Sequence, residues 1–257
     1  MNATATQNTI RGRSKVVRHT RTGARGPVVR LATASVLAGL AVTAAAGTAA
    51  AAPAAPLPAF TDGSAGLAEL LLSGREAANV LGSDRLTEQR TAYRLGNTSG
   101  SIQPSICVPA AKPAQAIAYV TAEPVEVAVK VLTDGGNSEQ GLVEAVVELP
   151  SKPDALAQMK AIADNWADCG GLTLTQQSQS SEDSFQWKLG KPMINKERSI
   201  VTLSQTALDG SGITCERAIG AHRAILVDVL ACTHGDATGQ GLAAVKAIGA
   251  KADTSPV

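Results

Sequence analysis

The sequence has few of the residues that carry chemistry. Three of its 257 residues are His, and it contains no Gly-x-Ser-x-Gly segment of the kind that presents the serine nucleophile of many hydrolases. It has no glycine-rich phosphate-binding loop, since Gly135-Gly136 and Gly170-Gly171 are typical of turns. We expect His222 to lie in a turn and His234 in a loop, both on the surface. The sequence therefore gives little support to a Ser/His/Asp hydrolase or a nucleotide-binding enzyme.

Acidic residues are missing from the N-terminal part of the chain. None precedes Asp62, whereas seven Lys and Arg residues lie between positions 11 and 30. An uncharged run rich in Ala, Val, Leu, Thr and Gly follows from Leu31 to Phe60. A basic segment, an apolar segment and small residues after it are typical of a secretory signal. We expect residues 1–52 to be a signal peptide that is cleaved near Ala52.

The main alternative is an uncleaved N-terminal membrane anchor that leaves the rest of the chain outside the cell. The uncharged run is long enough, because a membrane-spanning helix needs about 20 apolar residues. Its Ala, Thr and Gly content is weakly hydrophobic for a stable span, which favours cleavage and secretion. Residues 53–65, which are rich in Pro and Ala, are then expected to form a flexible tether before a domain that covers residues 66–252.

Cleavage would change the charge of the protein. The whole chain has 23 Lys and Arg against 22 Asp and Glu, and the signal peptide removes seven basic and no acidic residues. The mature chain would have 16 basic against 22 acidic residues, a net charge of −6. A mildly acidic protein is not expected to bind nucleic acid or an anionic membrane surface.

Cysteine is scarce but its count is even. The four cysteines all lie in the mature part: Cys107, Cys169, Cys215 and Cys232. An even number in an exported chain predicts two disulfide bonds. A zinc site is the alternative, but there is no Cys-x-x-Cys pair, and Cys232-Thr-His234 is too short for the usual zinc patterns. We therefore expect no metal and no cofactor.

Alternating apolar residues predict an antiparallel sheet. In residues 125–132 and 142–149, every second residue is Val, Ala or Leu, and the residues between them include Glu and Lys. This alternation is typical of half-buried strands. Further strands are predicted at Leu172–Gln176, Phe185–Leu189 and Ser199–Thr206, and in a hairpin from Ile213 to Cys232 that turns near Gly220-Ala-His222.

Helices bracket these strands. One is expected over Gly66–Leu81 with an interruption near Ser73-Gly74, a short one over Pro113–Val120, and one closes the chain from about Asp236 to Lys251. The clearest helix begins near Ser151, which starts a capping-box pattern, and carries apolar residues on one face as far as Trp166. Locally paired strands with helices at either end make the fold class α+β, an antiparallel sheet with packed helices.

Three further residues stand out as candidates for a site. Asp228 interrupts an apolar strand, and we expect it to face the solvent, opposite Val227 and Val229, because a buried carboxylate would need a partner or a raised pKa. Trp166 and Trp187 are the candidates for ligand contact, because an aromatic face stacks on a sugar or an apolar chain. A place in the core is the alternative for both, and the commoner one for a large apolar side chain.

Three segments around the cysteines resemble a known family as an ordered set. They are Asn165-Trp166-Ala-Asp-Cys169 at a helix end, Thr214-Cys215-Glu-Arg-Ala218 at the start of a hairpin, and Val227-Asp-Val-Leu-Ala-Cys232 before the last helix. The family is the PknH-like extracellular sensor domain, which comprises the outer domain of a mycobacterial serine/threonine kinase and related actinobacterial lipoproteins and secreted proteins. The resemblance spans about residues 66–252.

The resemblance implies a fold, a cleft for a ligand, and a disulfide pairing. The fold is an antiparallel sheet with packed helices, and the pairing is Cys107–Cys169 and Cys215–Cys232. The second bond conflicts with the predicted turn, because a tight turn at Gly220–His222 would place Cys215 opposite about Asp228. There is no kinase segment, so a signal would have to pass to another protein, such as a partner membrane protein. There is also no cysteine near the export signal, so we expect no lipid anchor.

The resemblance and the scarcity of catalytic residues together predict a secreted, non-catalytic ligand-binding or sensor domain. Its expected ligand is a small or extended molecule derived from the cell envelope. A secreted cell-envelope hydrolase and a protease-inhibitor-like interaction protein are the alternatives. A cleft with two or more convergent titratable groups would favour the enzyme, whereas an apolar or amide-lined cleft would favour binding.

We expect protein recovered from the culture medium to begin near residue 53, because the seven basic residues and the uncharged run after them are typical of a cleaved signal. Intact mass spectrometry of the recovered protein measures this directly. Full-length protein found only in the cytoplasm would contradict the prediction.

Overall fold

The computed structural model describes residues 63–135, 140–178, 183–195 and 200–255. The expected signal peptide and most of the expected tether lie outside these ranges, so both remain predictions. Residues 63–65, the end of the expected tether, form the start of a helix. None of the helices in the described ranges is long and apolar enough to cross a membrane.

The described residues form five α-helices, two short 3-10 helices and ten strands. The α-helices are α1 (Gly63–Ala68), α2 (Gly74–Leu81), α3 (Val108–Ala111), α4 (Lys152–Cys169) and α5 (Gln240–Thr254). The 3-10 helices are Ser105–Cys107 and Ala116–Tyr119. The strands are β1 (Thr87–Ala92), β2 (Ile102–Gln103), β3 (Glu126–Thr133), β4 (Gly141–Glu148), β5 (Thr173–Gln177), β6 (Ser184–Leu189), β7 (Met193–Asn195), β8 (Ile200–Ala207), β9 (Ile213–His222) and β10 (Ile225–His234). The predicted α+β class is confirmed.

All ten strands belong to one sheet, and every strand pair is antiparallel. Their order across the sheet is β1-β3-β4-β10-β9-β8-β6-β5-β2, and β7 also pairs with β8. The predicted strands are present within one or two residues of their expected ends. Strand β1 was not predicted, because its sequence, Thr-Glu-Gln-Arg-Thr-Ala, has no apolar alternation. It lies at the sheet edge, where polar side chains are tolerated.

Helices cover both faces of the sheet, so the expectation of half-buried strands is wrong for its centre. Helices α1, α2 and α5 pack on one face around a cluster that includes Val146, Val227 and Val245. Helix α4 and the segment that contains α3 pack on the other face around Trp166 and Val147. Strand β10 is consequently buried along its first seven residues. Polar residues on these strands must therefore find partners inside the protein.

The hairpin of β9 and β10 turns two residues later than predicted. His222 pairs with Ile225, so the turn consists of residues 223 and 224, and Arg223 has a φ of 56°. Gly220 lies within β9, where a Cβ atom would come within 2.9 Å of Val245 on α5. This glycine therefore permits close packing of the helix on the sheet and does not form the turn.

The later turn removes the conflict over the second disulfide. Cys215 and Cys232 are directly paired across β9 and β10, with their Cα atoms 4.0 Å apart, and form a disulfide bond. The first disulfide, Cys107–Cys169, joins the segment before α3 to the last residue of α4. Both predicted pairings are confirmed.

A buried carboxylate lies beneath the helices of the α1–α2–α5 face. Glu144 on β4 is fully buried and pairs in register with Lys130 on β3. Lys130 donates a hydrogen bond to the carbonyl of Leu72, and Lys251 of α5 donates one to Leu71. Burial raises the pKa of Glu144 to about 8, although the charges of Lys130 and Lys251 act in the opposite direction.

Glu144→Gln should weaken the pH dependence of stability. The folded protein keeps a proton on Glu144 between pH 4.5 and about 8, whereas the unfolded chain loses it near the ordinary pKa of 4.5. Wild-type stability should therefore fall as pH rises through this window, by up to about 1.4 kcal/mol per pH unit. Urea unfolding at several pH values measures the slope, and Glu69→Gln, an exposed glutamate, serves as the control. Parallel pH profiles for wild type and Glu144→Gln would contradict the assignment.

Candidate functional site

A large cavity of the described residues lies between the two ends of the sheet. It has a volume of about 870 Å³, and we call it the cleft. Strands β1, β3 and β4 supply one wall and strands β5 and β6 the other. The described residues that line it are Arg90, Ala92, Arg94, Leu95, Gly96, Asn97, Thr98, Ser101, Lys112, Pro113, Ala114, Gln115, Val129, Val131, Val143, Gln176, Gln177, Ser178 and Phe185. The lining thus combines apolar strand residues with amides, hydroxyls and three cations.

A β-bulge directs Arg90 toward the cleft. Glu88 pairs with Leu132 and Arg90 pairs with Val131, so Gln89 is an extra residue in β1. Without it, residues 88 and 90 would share a face, because side chains alternate along a strand. The bulge instead leaves Glu88 on the helix-covered face, 3.9 Å from Lys130, and Arg90 on the cleft face beside Val131.

Two segments without regular secondary structure, one around Thr98 and one around Gln115, are hydrogen-bonded to each other in the cleft wall. Gln115 is buried, and its side-chain oxygen accepts hydrogen bonds from the backbone N–H of Thr98 at 3.0 Å and from the Thr98 hydroxyl at 2.9 Å. Its amide nitrogen donates to the carbonyl of Pro113 at 2.9 Å. A Cβ atom at Gly96 would lie 2.7 Å from this amide, so a larger residue there would displace the Gln115 side chain. These bonds fix the polar wall without any regular secondary structure.

A buried carboxylate holds the cleft loop, which we define as residues 112–115. Ala114 lies in this loop with a positive φ of 48°, a conformation that alanine rarely adopts. Its N–H donates to Oδ2 of Asp228 at 2.9 Å. Asp228 is 2% exposed, so the expectation that it faces the solvent is wrong. The segment containing α3 covers this face of β10, and the carboxylate finds its partners there.

Asp228 forms a buried ion pair with Arg217 of β9. Nη1 of Arg217 lies 2.6 Å from Oδ1 of Asp228, and the two side chains are 0% and 3% exposed. Nη1 also donates to the carbonyl of Val229. Burial raises the pKa of Asp228, and the charge and hydrogen bond of Arg217 and the N–H of Ala114 oppose this rise. These contacts therefore oppose the cost of burying the carboxylate.

The same arginine binds the end of the short helix α3. Nη2 of Arg217 donates to the carbonyls of Pro109 at 3.1 Å and Lys112 at 3.3 Å. The indole N–H of Trp166 also donates to Pro109 at 3.0 Å, and the guanidinium lies 4.9 Å from the centre of the Trp166 ring. The last carbonyls of a helix have no partner within the helix and favour a nearby cation. Arg217 thus connects the core strands to the segment that forms the cleft wall.

A second, smaller cavity adjoins the cleft. It has a volume of about 120 Å³, lies beside the Cys215–Cys232 disulfide and is lined mainly by apolar atoms. Trp187 lines it and is half-buried. Lys112 and Gln176 line both cavities.

Comparison with known proteins identifies the family of this domain. The model of the PknH-like extracellular domain family matches residues 63–251. The chain belongs to this family. Residues of the chain are also 25% identical over 174 positions to the serine/threonine-protein kinase PknH of Mycobacterium bovis and of Mycobacterium tuberculosis. That alignment covers 65% of this chain but only 27% and 26% of the kinases, so the chain spans about a quarter of their length.

A solved structure shows the same fold. The crystal structure of the extracellular domain of PknH from Mycobacterium tuberculosis superimposes with a TM-score of 0.67 at 22% sequence identity. The superposition covers 73% of this chain and 95% of that one. The match is thus to an extracellular domain, and the PknH-like domain described above is of an extracellular, disulfide-bonded type.

The structure separates the two tryptophan candidates. Trp166 has 0% exposure and packs in the core of the PknH-like domain, which fits the core interpretation and leaves no surface for a ligand. Trp187 keeps an exposed part beside the smaller cavity. Ligand contact therefore remains a prediction for Trp187. No cluster of three or more His, Cys, Asp or Glu side chains suited to a metal ion occurs within the described ranges.

The two histidines within the described residues differ. The expectation that His222 is a solvated turn residue is wrong, because it ends β9 with its side chain 13% exposed. Its Nδ1 lies 3.2 Å from Oδ2 of Asp253, and its ring packs against Gly249, where a Cβ atom would come within 2.2 Å. His234 ends β10 and is exposed. Neither residue lines the cleft.

Sequence reasoning missed Arg217, although one signal could have revealed it. The Cys215–Cys232 pairing sets the register of β9 and β10. Arg217 lies two residues after Cys215 and Asp228 four before Cys232, so both share the face of the disulfide. Diagonal residues on one face of an antiparallel pair are within reach of a long side chain.

Asp228→Ala should be far more destabilising than loss of an exposed ion pair. It leaves Arg217 buried without its carboxylate, which costs about 3–5 kcal/mol. The matched control is Asp164→Ala, which breaks the exposed Lys160–Asp164 pair on α4 and should cost less than about 1 kcal/mol. Urea unfolding with the disulfides intact measures both. The double variant Arg217→Met/Asp228→Leu should recover part of the stability lost in Asp228→Ala. Equal losses of stability in Asp228→Ala and Asp164→Ala would contradict the account.

Proposed function

We propose that this PknH-like domain is a non-catalytic ligand-binding module of the sensor type, which binds a small or extended envelope-derived molecule in the cleft. The observation that carries the proposal is a cavity of about 870 Å³ whose polar wall is held by buried groups. Binding sites for small molecules are commonly preformed cavities of this size. A wall fixed before binding lowers the ordering cost of the complex.

The lining of the cleft favours binding over turnover. Its described residues include four with amide side chains, Asn97, Gln115, Gln176 and Gln177, and no Asp, Glu, His, Cys or Tyr. Lys112 is then the one described candidate for a general base, since its pKa is lowered, chiefly by burial and also by Arg217. General acid–base chemistry at a neutral substrate usually requires two placed groups. An amide-rich, carboxylate-free lining suits hydrogen bonding to a polar ligand.

The hydrolase alternative has one feature in its favour. A shallow hollow of about 480 Å³ near the start of α4 is lined by Glu123 and Asp154. The hydroxyl of Ser151, the N-cap residue of the helix, donates a hydrogen bond to Oδ2 of Asp154 there at 2.5 Å. This bond gives Asp154 a helix-capping role, and we place the ligand in the cleft.

A cleft-filling variant tests the location of binding. Purified mature protein is screened against fragments of peptidoglycan and envelope polysaccharide by thermal shift, since a ligand at 100 times its Kd stabilises by about 2.7 kcal/mol. Ala92→Trp places a bulky ring in the cleft and should abolish the shift. Ala157→Trp, which fills the hollow on α4, should leave it unchanged.

The tryptophans give the same experiment a second readout. Trp187→Ala should weaken binding and lower the melting temperature without ligand less than Trp166→Ala, which should cost about 3–5 kcal/mol of stability. If Ala157→Trp abolishes the thermal shift and Ala92→Trp does not, the ligand binds in the hollow on α4 and not in the cleft. Product formed from any fragment, and lost on Lys112→Met or Asp154→Asn, would refute the non-catalytic proposal.

A further inference from the structure

The charge of the cleft is opposite to that of the domain around it. Residues 53–257 contain 16 Lys and Arg against 22 Asp and Glu. The described lining of the cleft nevertheless contains Arg90, Arg94 and Lys112 and no acidic residue. Cations gathered between low-dielectric walls focus the electrostatic field into the cavity and attract anions. The positive charge is thus a local property of the cleft.

In the described ranges, each buried or half-buried Lys or Arg outside the cleft has an anionic partner. Arg217 is paired with Asp228, Lys130 with Glu88, and Lys251 with Glu76. Within the described ranges, no ion pair involves Arg90, Arg94 or Lys112. The positive charges of the cleft are thus not neutralised by an acidic side chain of the described residues.

Two of the cations are placed by features that do not serve the core. The extra residue Gln89 turns Arg90 out of the helix-covered face, where it would have approached Lys130, and into the cleft. Lys112 is half-buried beside the smaller cavity, and its backbone carbonyl accepts a hydrogen bond from Arg217. Burial lowers the pKa of Lys112, and the charge of Arg217 lowers it further. A bound anion would offset both unfavourable effects.

Resting on the proposed function, we propose that the cleft selects an extended polar ligand that carries carboxylate or phosphate groups. Arg90 and Arg94 at the rim each offer a guanidinium that binds two oxygens of such a group, and Lys112 binds a second group deeper in the cavity. The amide of Gln176 on the opposite wall hydrogen-bonds the neutral polar atoms between them.

A matched pair of probes isolates the effect of charge. Tetragalacturonic acid carries carboxylates along a sugar chain, and its methyl ester has the same chain without charge; a glycerol phosphate oligomer provides the phosphate arm. Calorimetric titration of the mature domain at low ionic strength should show binding of at least one acidic probe. Its affinity should exceed that of the ester by at least roughly tenfold and fall as salt is added.

Charge-removing variants locate the effect. Arg90→Gln, Arg94→Gln and Lys112→Gln should each lower the affinity for the acidic probe roughly tenfold. Arg75→Gln removes an equal charge from an exposed position on α2 and should change it less than about twofold. Arg90→Lys should restore part of the affinity lost in Arg90→Gln. Unchanged melting temperatures show that each variant is folded.

The outcomes separate this inference from the proposed function. Equal affinity for the acid and its ester, no binding of either acidic probe, or equal losses in Arg75→Gln and the cleft variants would each overturn anion selection. If the ester binds equally well and Ala92→Trp abolishes its binding, the cleft is still the ligand site and only the charge preference is wrong. Acidic probes that bind Ala92→Trp as well as wild type would contradict both.

Discussion

Arg217 and Asp228 lie diagonally across β9 and β10, 2.6 Å apart and almost wholly buried. Two charges taken out of water are costly unless most of their donors and acceptors also find hydrogen-bond partners. Here those partners are the backbone of residues 109–114 and the carbonyl of Val229. The need to satisfy one buried ion pair therefore determines where an irregular segment lies. That segment, together with the residues bonded to Gln115, forms the polar wall of the cleft.

The rest of the fold supports this arrangement. The Cys215–Cys232 disulfide fixes the register that brings the two charged residues to the same face, and Cys107–Cys169 ties α3 to the end of α4, next to Trp166. The Trp166 ring covers the guanidinium at 4.9 Å and shares the carbonyl of Pro109 with it. A rigid core on one side of the cleft loop and exposed arginines on the other are what a preformed binding site requires.

The sequence predicted the elements whose pattern is periodic. Alternating residues predicted β3 and β4, and Ser151 predicted the start of α4, where its hydroxyl accepts from the N–H of Asp154. Burial of Asp228 could not be predicted, because the same alternation fits a strand with one face or both faces covered. The cleft was predicted only from the resemblance to the family. Its wall consists of irregular segments and a bulge, whose shape depends on contacts with residues far away in the chain, as between Ala114 and Asp228.

Hydrogen exchange of the Ala114 amide tests the central claim most directly, because this N–H is held only by the buried carboxylate of Asp228 and belongs to no helix or strand. If the ion pair fixes the cleft wall, this amide should exchange only through global unfolding, with the same free energy of opening as the core amides of β9 and β10. NMR exchange measured over a range of subdenaturing urea concentrations gives both values. Exchange of Ala114 with the low opening energy of a surface loop, while the core strands remain protected, would contradict the account.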